Sequence, residues 1–430
     1  MTRFQFIFTA ILIFLGVGGV ILFAVAKNGG SKSVPQVALW GTLPATQVID
    51  FISKVTVENK DVLNVVYTEK NPKTFQTDLI AALARQAGPD MVILPQSLIA
   101  AELDKFYVVP FANYSARMFR DSFIQEGELY LTPTGVMGFP FSIDPLVMYW
   151  NRDIFTDAGI ALPPVSWTEI LALVPKLTKK DSSGSITQSA VAFGEMSNSL
   201  HAKDMIALLA LQAGTPLVGW RNDGTLKSVL SDRANNDLIP AEQAVAYFTG
   251  FSNPDKASYS WNRSLPTDRS AFIGGRLAIY FGYASEIQGI RDANPNLNFD
   301  VAMVPQVDGK KMTFGSMHAF AILKSSKNIP AAYLDAVVLS NSPAQVEWAN
   351  RSGLPPVRRD LLAQTPGDAY KSVFYKSALI SNAWLDPNAK ATSDIFTKLI
   401  QNVTSGKLLV SESVRQASLE IDSLLNKDIE

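Results

Sequence analysis

The sequence predicts an α/β protein whose main sheet is parallel and covered on both faces, divided into more than one lobe. Three observations predict it. The chain is 430 residues long, more than one ordinary core accommodates. Past residue 36 the pattern reads strand, helix, strand, helix, strand. The apolar runs are of strand length, and the segments between them are helices long enough to cross back over a sheet.

The first segment stands apart from this pattern. Phe4 to Ala26 is apolar except for Gln5 and Thr9. As a helix it would reach roughly 35 Å, enough to span a bilayer. Ala24-Val25-Ala26 has the small-x-small form of a signal-peptidase site, but the run is longer than the ~7–15 residues of a usual signal core. The expectation is therefore an uncleaved transmembrane anchor over 4–26, with the bulk of the chain outside the cytoplasm. Arg3 against Lys27 gives little charge bias for orientation. The Gly- and Ser-containing stretch 27–36 reads as a tether.

Val37-Ala-Leu-Trp40 is the first buried strand. Val48, Phe51, Ile52 and Val55 then fall at i, i+3, i+4 and i+7, one face of a helix. Asn64-Val-Val-Tyr67 is the next strand, and Phe75, Leu79 and Leu83 mark a second helix. Gly88-Pro-Asp90 stops that helix ahead of the strand Met91-Val-Ile-Leu94. Ligands of such sheets sit outside the carboxyl ends of the strands. Trp40-Gly-Thr42 and Pro95-Gln96-Ser97 occupy those ends, which makes Trp40, Gln96 and Ser97 candidate binding residues.

Asp144-Pro145 predicts a break before the strand Leu146-Val-Met-Tyr149. Ser166 and Glu169 have the spacing of a capping box and start a helix carrying Ile170, Leu171, Leu173 and Val174. Asp181-Ser-Ser-Gly184 is a surface turn, and Ala202 to Ala213 reads as a buried helix. Gly224 to Asp237 is polar and reads as a loop followed by a poorly defined segment. Ala271-Phe-Ile-Gly-Gly-Arg-Leu-Ala-Ile279 ends a helix at a glycine pair and runs into the strand Ile279-Tyr-Phe281.

Composition narrows the function. Charged residues are 18% of the chain, the net charge is −1, and no long run of either sign is present, unlike a nucleic-acid binder. With no cysteine and only His201 and His318, thiol catalysis, disulfides and thiolate metal sites are excluded, and a histidine-built metal site is disfavoured. Gly-x-Ser-x-Gly, His-Glu-x-x-His and phosphate-binding glycine motifs are absent. Nothing in the residues requires a cofactor.

Four pieces in order carry a resemblance: Gly138-Phe-Pro-Phe-Ser-Ile-Asp-Pro-Leu-Val-Met-Tyr-Trp-Asn-Arg-Asp-Ile-Phe155, then Ala271–Ile279, Met303-Val-Pro305 and Gly353-Leu-Pro-Pro-Val357. Together they resemble the extracellular solute-binding proteins of bacterial ABC importers, the maltose-type family 1 group. The resemblance implies a two-lobed, type II periplasmic-binding-protein-like fold, with a ligand trapped between lobes joined by three crossovers. These would fall near Ser142–Leu146, Thr313–Met317 and Arg351–Pro355. The amino lobe would be 37–142 plus 317–350, and the other lobe 143–316 plus 351–430. The expected partners are a small-molecule ligand of the sugar type and importer permease subunits. A monomer is expected, with membrane attachment through the first segment in place of the family's usual lipid-bearing Cys, which this chain lacks.

The resemblance also nominates site residues. Asp144 stands where maltose-type receptors place a ligand-binding acid; the other reading is a turn residue. Trp384, in Ala383-Trp-Leu-Asp386, resembles the aromatic that stacks on sugar near the carboxyl terminus. Tyr283 is placed like a second stacking ring, or is a half-buried tyrosine. His201 precedes a helix from which the family contributes contacts, or is a satisfied structural residue. Met317 and His318 lie where the chain re-enters the amino lobe, and Trp261 is either packing or cleft-exposed. Two rival functions remain at this level. One is an extracytoplasmic glycosidase using two carboxylates, for which Asp144 and Glu195 are the nominees. The other is a sensory or adhesive subunit on the same fold.

Overall fold

Strand β1 (Val37–Gly41) buries alternate residues and pairs in parallel with both β2 (Val65–Glu69) and β3 (Met91–Pro95). A computed structural model describes residues 34–426 apart from 222, 235, 236, 308 and 365, so the apolar segment 4–26 lies outside the described residues. Between β1 and β2, the helix Ala45–Glu58 buries Val48, Phe51, Ile52 and Val55, the four positions of its apolar stripe. The helix Phe75–Ala84 leads to β3 and turns Phe75, Leu79 and Ala82 inward. Small strands β4 (Val109–Pro110) and β5 (Gly135–Val136) pair with each other before the chain enters β6 (Gly138–Asn151).

Beyond β6 come β7 (Lys179–Lys180), β8 (Ile186–Val191), the antiparallel pair β9 (Val218–Trp220) and β10 (Leu226–Ser228), and β11 (Leu277–Tyr283). β12 (Phe299–Ala302), β13 (Thr313–Ile322) and β14 (Ser381–Asn382) follow. Among the described residues ten strands form one sheet, ordered β2-β1-β3-β13-β6-β11-β8-β7, with β12 on β6 and β14 on β13. β10 corrects the first part of the expected loop, at Leu226–Ser228. The Asp223 side chain accepts the Thr225 N–H at 2.9 Å, and this turn folds the polar segment back onto β9.

The expected break at Asp144-Pro145 is not there. β6 runs for 14 residues straight through it. A proline is tolerated at this point because the strand changes neighbours: pairing with β13 ends at Pro145, opposite Gly315, and pairing with β11 begins at Leu146, opposite Tyr283. The hydrophobic clusters change at the same place. Phe139, Phe141 and Ile143 of β6, with Met317 and the run from Ala319 to Ile322 of β13, belong to one cluster that also takes β1, β3 and the helix residues Phe51 and Trp348. Leu146, Met148 and Trp150, with Phe314 of β13, belong to a second cluster built on the buried helix Ala202–Ala213. Val147 and Tyr149 face a third, with Phe272, Tyr280 and Phe374. The alternation along Leu146–Trp150 is that of a strand covered on both faces. From Arg351–Pro355 onward the chain packs on both sides, Val357 and Leu362 in the first cluster, Leu354 against the third and Phe374 within it.

Candidate functional site

At the seam where β6 passes from one cluster to the next, the half-buried Asp144 carboxylate accepts the Ser285 N–H at 3.0 Å. Ser285 sits in the one-turn 3-10 segment Ala284–Glu286 that follows β11. Register brings them together: Tyr283 lies opposite Leu146, so the residues just past β11 meet those just before Leu146. Burial pushes the Asp144 carboxyl up to about 6, against the pull of its Ser285 hydrogen bonds.

Glu286, the last residue of that turn, is the hub. Its carboxylate accepts the Tyr280 hydroxyl at 2.6 Å and the Tyr283 N–H at 2.8 Å. It lies 2.7 Å from His201 Nε2 and 3.2 Å from Arg269 Nε. Burial works against its charge, but the bonds from His201, Tyr280 and Tyr283 overcome this and hold Glu286 below the usual carboxylate range. The same pair raises His201 above the ordinary imidazole value despite burial, so the imidazole is held towards its charged form.

Tyr283 is fixed at three points. Its N–H is bound by Glu286, its ring meets the His201 ring edge-on at 4.9 Å, and its hydroxyl donates to Asp204 Oδ2 at 2.8 Å. His201 and Asp204 stand at the start of the helix Ala202–Ala213, whose first turn therefore docks against the end of β11. Asp268 completes this group, accepting Leu200 N–H at 3.0 Å, and burial raises its carboxyl to about 6. The result is a rigid array of carboxylates, an imidazole and a phenol, able to accept and donate several hydrogen bonds in fixed directions.

Of the residues nominated from sequence, Asp144, His201 and Tyr283 are brought together through Ser285 and Glu286. Gln96 is buried and bridges β13 instead: its amide donates to Gly315 O at 2.7 Å and accepts Met317 N–H at 2.9 Å. Ser97 is half-buried beside it in the turn Gln96–Leu98. His318 is also half-buried, and burial drops its imidazole to about 4, so it is neutral near pH 7. The half-buried Trp40 ring carries the Lys70 ammonium 3.6 Å from its centroid.

Three of the nominated side chains face inward. Trp261 is 1% exposed and packs in the third cluster, its indole N–H bonded to Asn198 Oδ1 at 3.0 Å. Met317 is fully buried because its side chain points into the first cluster. Trp384 is 4% exposed, packed against Phe396, with the Lys203 ammonium 5.8 Å from its ring centroid. Lys203 itself is held by Asp386 and by Thr392 Oγ1. Glu195, the second acid of the glycosidase alternative, is paired with Arg263. Ser285, Glu286, Asp204, Arg269 and Asp268 were not nominated. Glu286 follows Tyr283 by three residues, the spacing of a capping box, but without the Ser or Thr that makes the motif recognisable.

Beside Ser285 a groove of about 330 Å³ opens between the helix Ile287–Ala293 and the segments Asn350–Leu354 and Asp368–Phe374. Among the described residues no three His, Asp or Glu side chains converge as metal ligands, and no helix is long and apolar enough to cross a membrane.

The chain is 23% identical over 328 residues to a protein of Brucella abortus (strain 2308) that is named as a binding protein, covering 74% of this chain and 75% of that one. Its fold is similar to a cyclo/maltodextrin-binding protein solved with maltotetraose, with a TM-score of 0.73, 17% identity, and 93% and 99% of the two chains covered. It is equally similar to the sugar-binding protein MalE of Xanthomonas citri, with a TM-score of 0.73, 17% identity, and 92% and 98% coverage. These likenesses establish the two-lobed α/β periplasmic-binding-protein-like fold. The family model for the bacterial extracellular solute-binding proteins matches residues 51–374, and the chain belongs to that family, one of binding proteins and not of enzymes.

Proposed function

We propose that this protein is the extracytoplasmic receptor of an ABC importer, and that it captures a carbohydrate or similar polar solute between its lobes by hinge closure. The observation that carries the reading is the array around Asp144, Tyr283, His201 and Glu286, placed where β6 and β13 pass between the clusters. Residues at such a seam touch a ligand from both sides only when the lobes are closed. Ligand binding then favours the closed state by its extra contacts there. Sugars suit the array because their hydroxyls donate to carboxylates while their C–H faces lie on rings such as Tyr283. Solved proteins of similar fold are complexes with maltotetraose, tagatose, mannotriose or acarbose, which supports a saccharide ligand.

The lobes of this proposal are 37–142 with 317–350, and 143–316 with 351–430. Permease subunits are the partners, the working unit is a monomer, and segment 4–26 is the membrane anchor. Thermal unfolding of the full chain against mono- and oligosaccharides, amino acids, peptides and polyols tests the reading. A ligand at ~100 times its Kd adds about 2.7 kcal/mol of apparent stability. The expected result is an upward shift with one saccharide class that Asp144→Asn abolishes, without turnover of the sugar. A shift with amino acids or peptides alone, or none at all, overturns it.

A further inference from the structure

The groove beside Ser285 has a charge character opposite to that of the Asp144 array. Its rim carries Arg291, Arg351 and Lys371, together with Asn350 and the Tyr370 ring. Arg291 lies over the Tyr370 ring, 4.7 Å from its centroid. Among the described residues neither Arg291 nor Lys371 has a carboxylate within ion-pair distance, whereas other basic side chains such as Arg221, Arg263 and Lys398 do. Arg351 is paired with Glu347 and Asp50. The one acid of the groove, Asp368, already caps the helix Ala369–Leu379 by accepting the Lys371 N–H at 2.8 Å. Two cations without an ion-pair partner therefore face the groove against the single charge of Asp368, and its volume of about 330 Å³ lies within the range of small-ligand pockets.

The groove and the acidic array are joined. Ser285 lines the groove and its N–H holds Asp144. A ligand that reaches across Ser285 meets hydroxyl-accepting carboxylates at one end and guanidinium and ammonium donors at the other. An Arg fork matches a carboxylate or sulfate in two parallel hydrogen bonds, and an ammonium adds a point charge. We infer that the receptor's cargo is an acidic saccharide, whose negative group, a uronate carboxylate or a sulfate ester, is taken by Arg291 and Lys371 in this groove. The inference rests on the receptor reading and gives that same site its substrate class.

Binding of matched pairs of oligosaccharides to the full chain tests it. In each pair a neutral hexose oligomer is compared with its uronate counterpart, and with a sulfated counterpart, by calorimetry at low and at 0.5 M salt. The expected result is that one charged member binds at least tenfold tighter than its neutral partner. That preference should shrink in high salt and disappear in Arg291→Gln/Lys371→Gln, with neutral-sugar binding and melting temperature kept. The uronate and sulfate arms identify which group is carried. Equal binding within pairs, or binding of neutral members only, overturns the charge inference and leaves the receptor standing. A charged preference that survives the double variant overturns the assignment to this groove. Binding of no saccharide of either kind overturns both readings.

Discussion

Glu126 is fully buried, and neither of its carboxylate oxygens has a hydrogen-bond partner. It sits against β13 so closely that a Cβ at Gly315 would fall 2.1 Å from Glu126 Oε2, which is why position 315 has no side chain. Burial pushes this carboxyl up to about 8, eased only in part by the facing Ser381 hydroxyl. The folded form thus holds a proton that the unfolded form releases near 4.5, so stability falls as pH rises from there through 8. Glu126→Gln, neutral and of the same shape, should match the wild type near pH 4 and exceed it by a few kcal/mol above pH 8. Denaturant midpoints across pH read this out; a variant no more stable at pH 9 than at pH 4, each against wild type, refutes a protonated Glu126. Residues of this kind were hidden in the sequence. Nothing in Gln125-Glu-Gly-Glu128 marks either acid as interior, and it is the approach of β13 that buries Glu126.

Local patterns were the most legible at the scale of single elements. The stripe Val48, Phe51, Ile52, Val55 is the buried face of its helix, and Ala202–Ala213 begins and ends where its composition places it, stopped by Gly214 at φ +111°. Ser166 caps the helix Trp167–Leu177 by accepting the Glu169 N–H, and Glu169 closes the motif one residue early, on the Val165 N–H at 2.7 Å. Strand β6 was misread, because Asp-Pro is a turn signal judged by local preference while the extended conformation here is imposed by the strands on either side. The segment Ala383–Asp386 shows the same limit. A Trp flanked by Asn382 and Asp386 reads as a polar ring platform, yet Asp386 is turned to Lys203 and Thr392 and the ring goes inward. Trp384→Ala should therefore act on folding, costing ~3–5 kcal/mol. Urea unfolding measures it; unchanged stability with lost ligand affinity would restore the ring to the binding site.

For the whole molecule, β6 and β13 run unbroken through a change of hydrophobic cluster at one level, and the proposed closure would bend them there. Saturating ligand should lower the radius of gyration of the full chain, measured by small-angle scattering in contrast-matched detergent, and Asp144→Asn should remove the change. An identical radius with and without a ligand shown to bind would rule out closure. The division into lobes was inferred from a family resemblance and not from periodicity, since the crossings carry no composition signal of their own.

The sequence by itself determined the α/β class, the helix faces, the strand alternation and the family, because burial periodicity and the order of short motifs are local properties that survive without a structure. It also supplied Asp144, His201 and Tyr283 as candidates. Only the tertiary structure decided that these three meet, through Ser285 and Glu286, and that the side chains of Trp261, Met317 and Trp384 are buried. The physical reason is register. Antiparallel pairing of β11 with β6 sets Tyr283 opposite Leu146, and a shift of one residue would turn each side chain to the other face. Register is fixed by packing between segments 137 residues apart, at Leu146 and Tyr283, and no local pattern in either segment encodes the other's position.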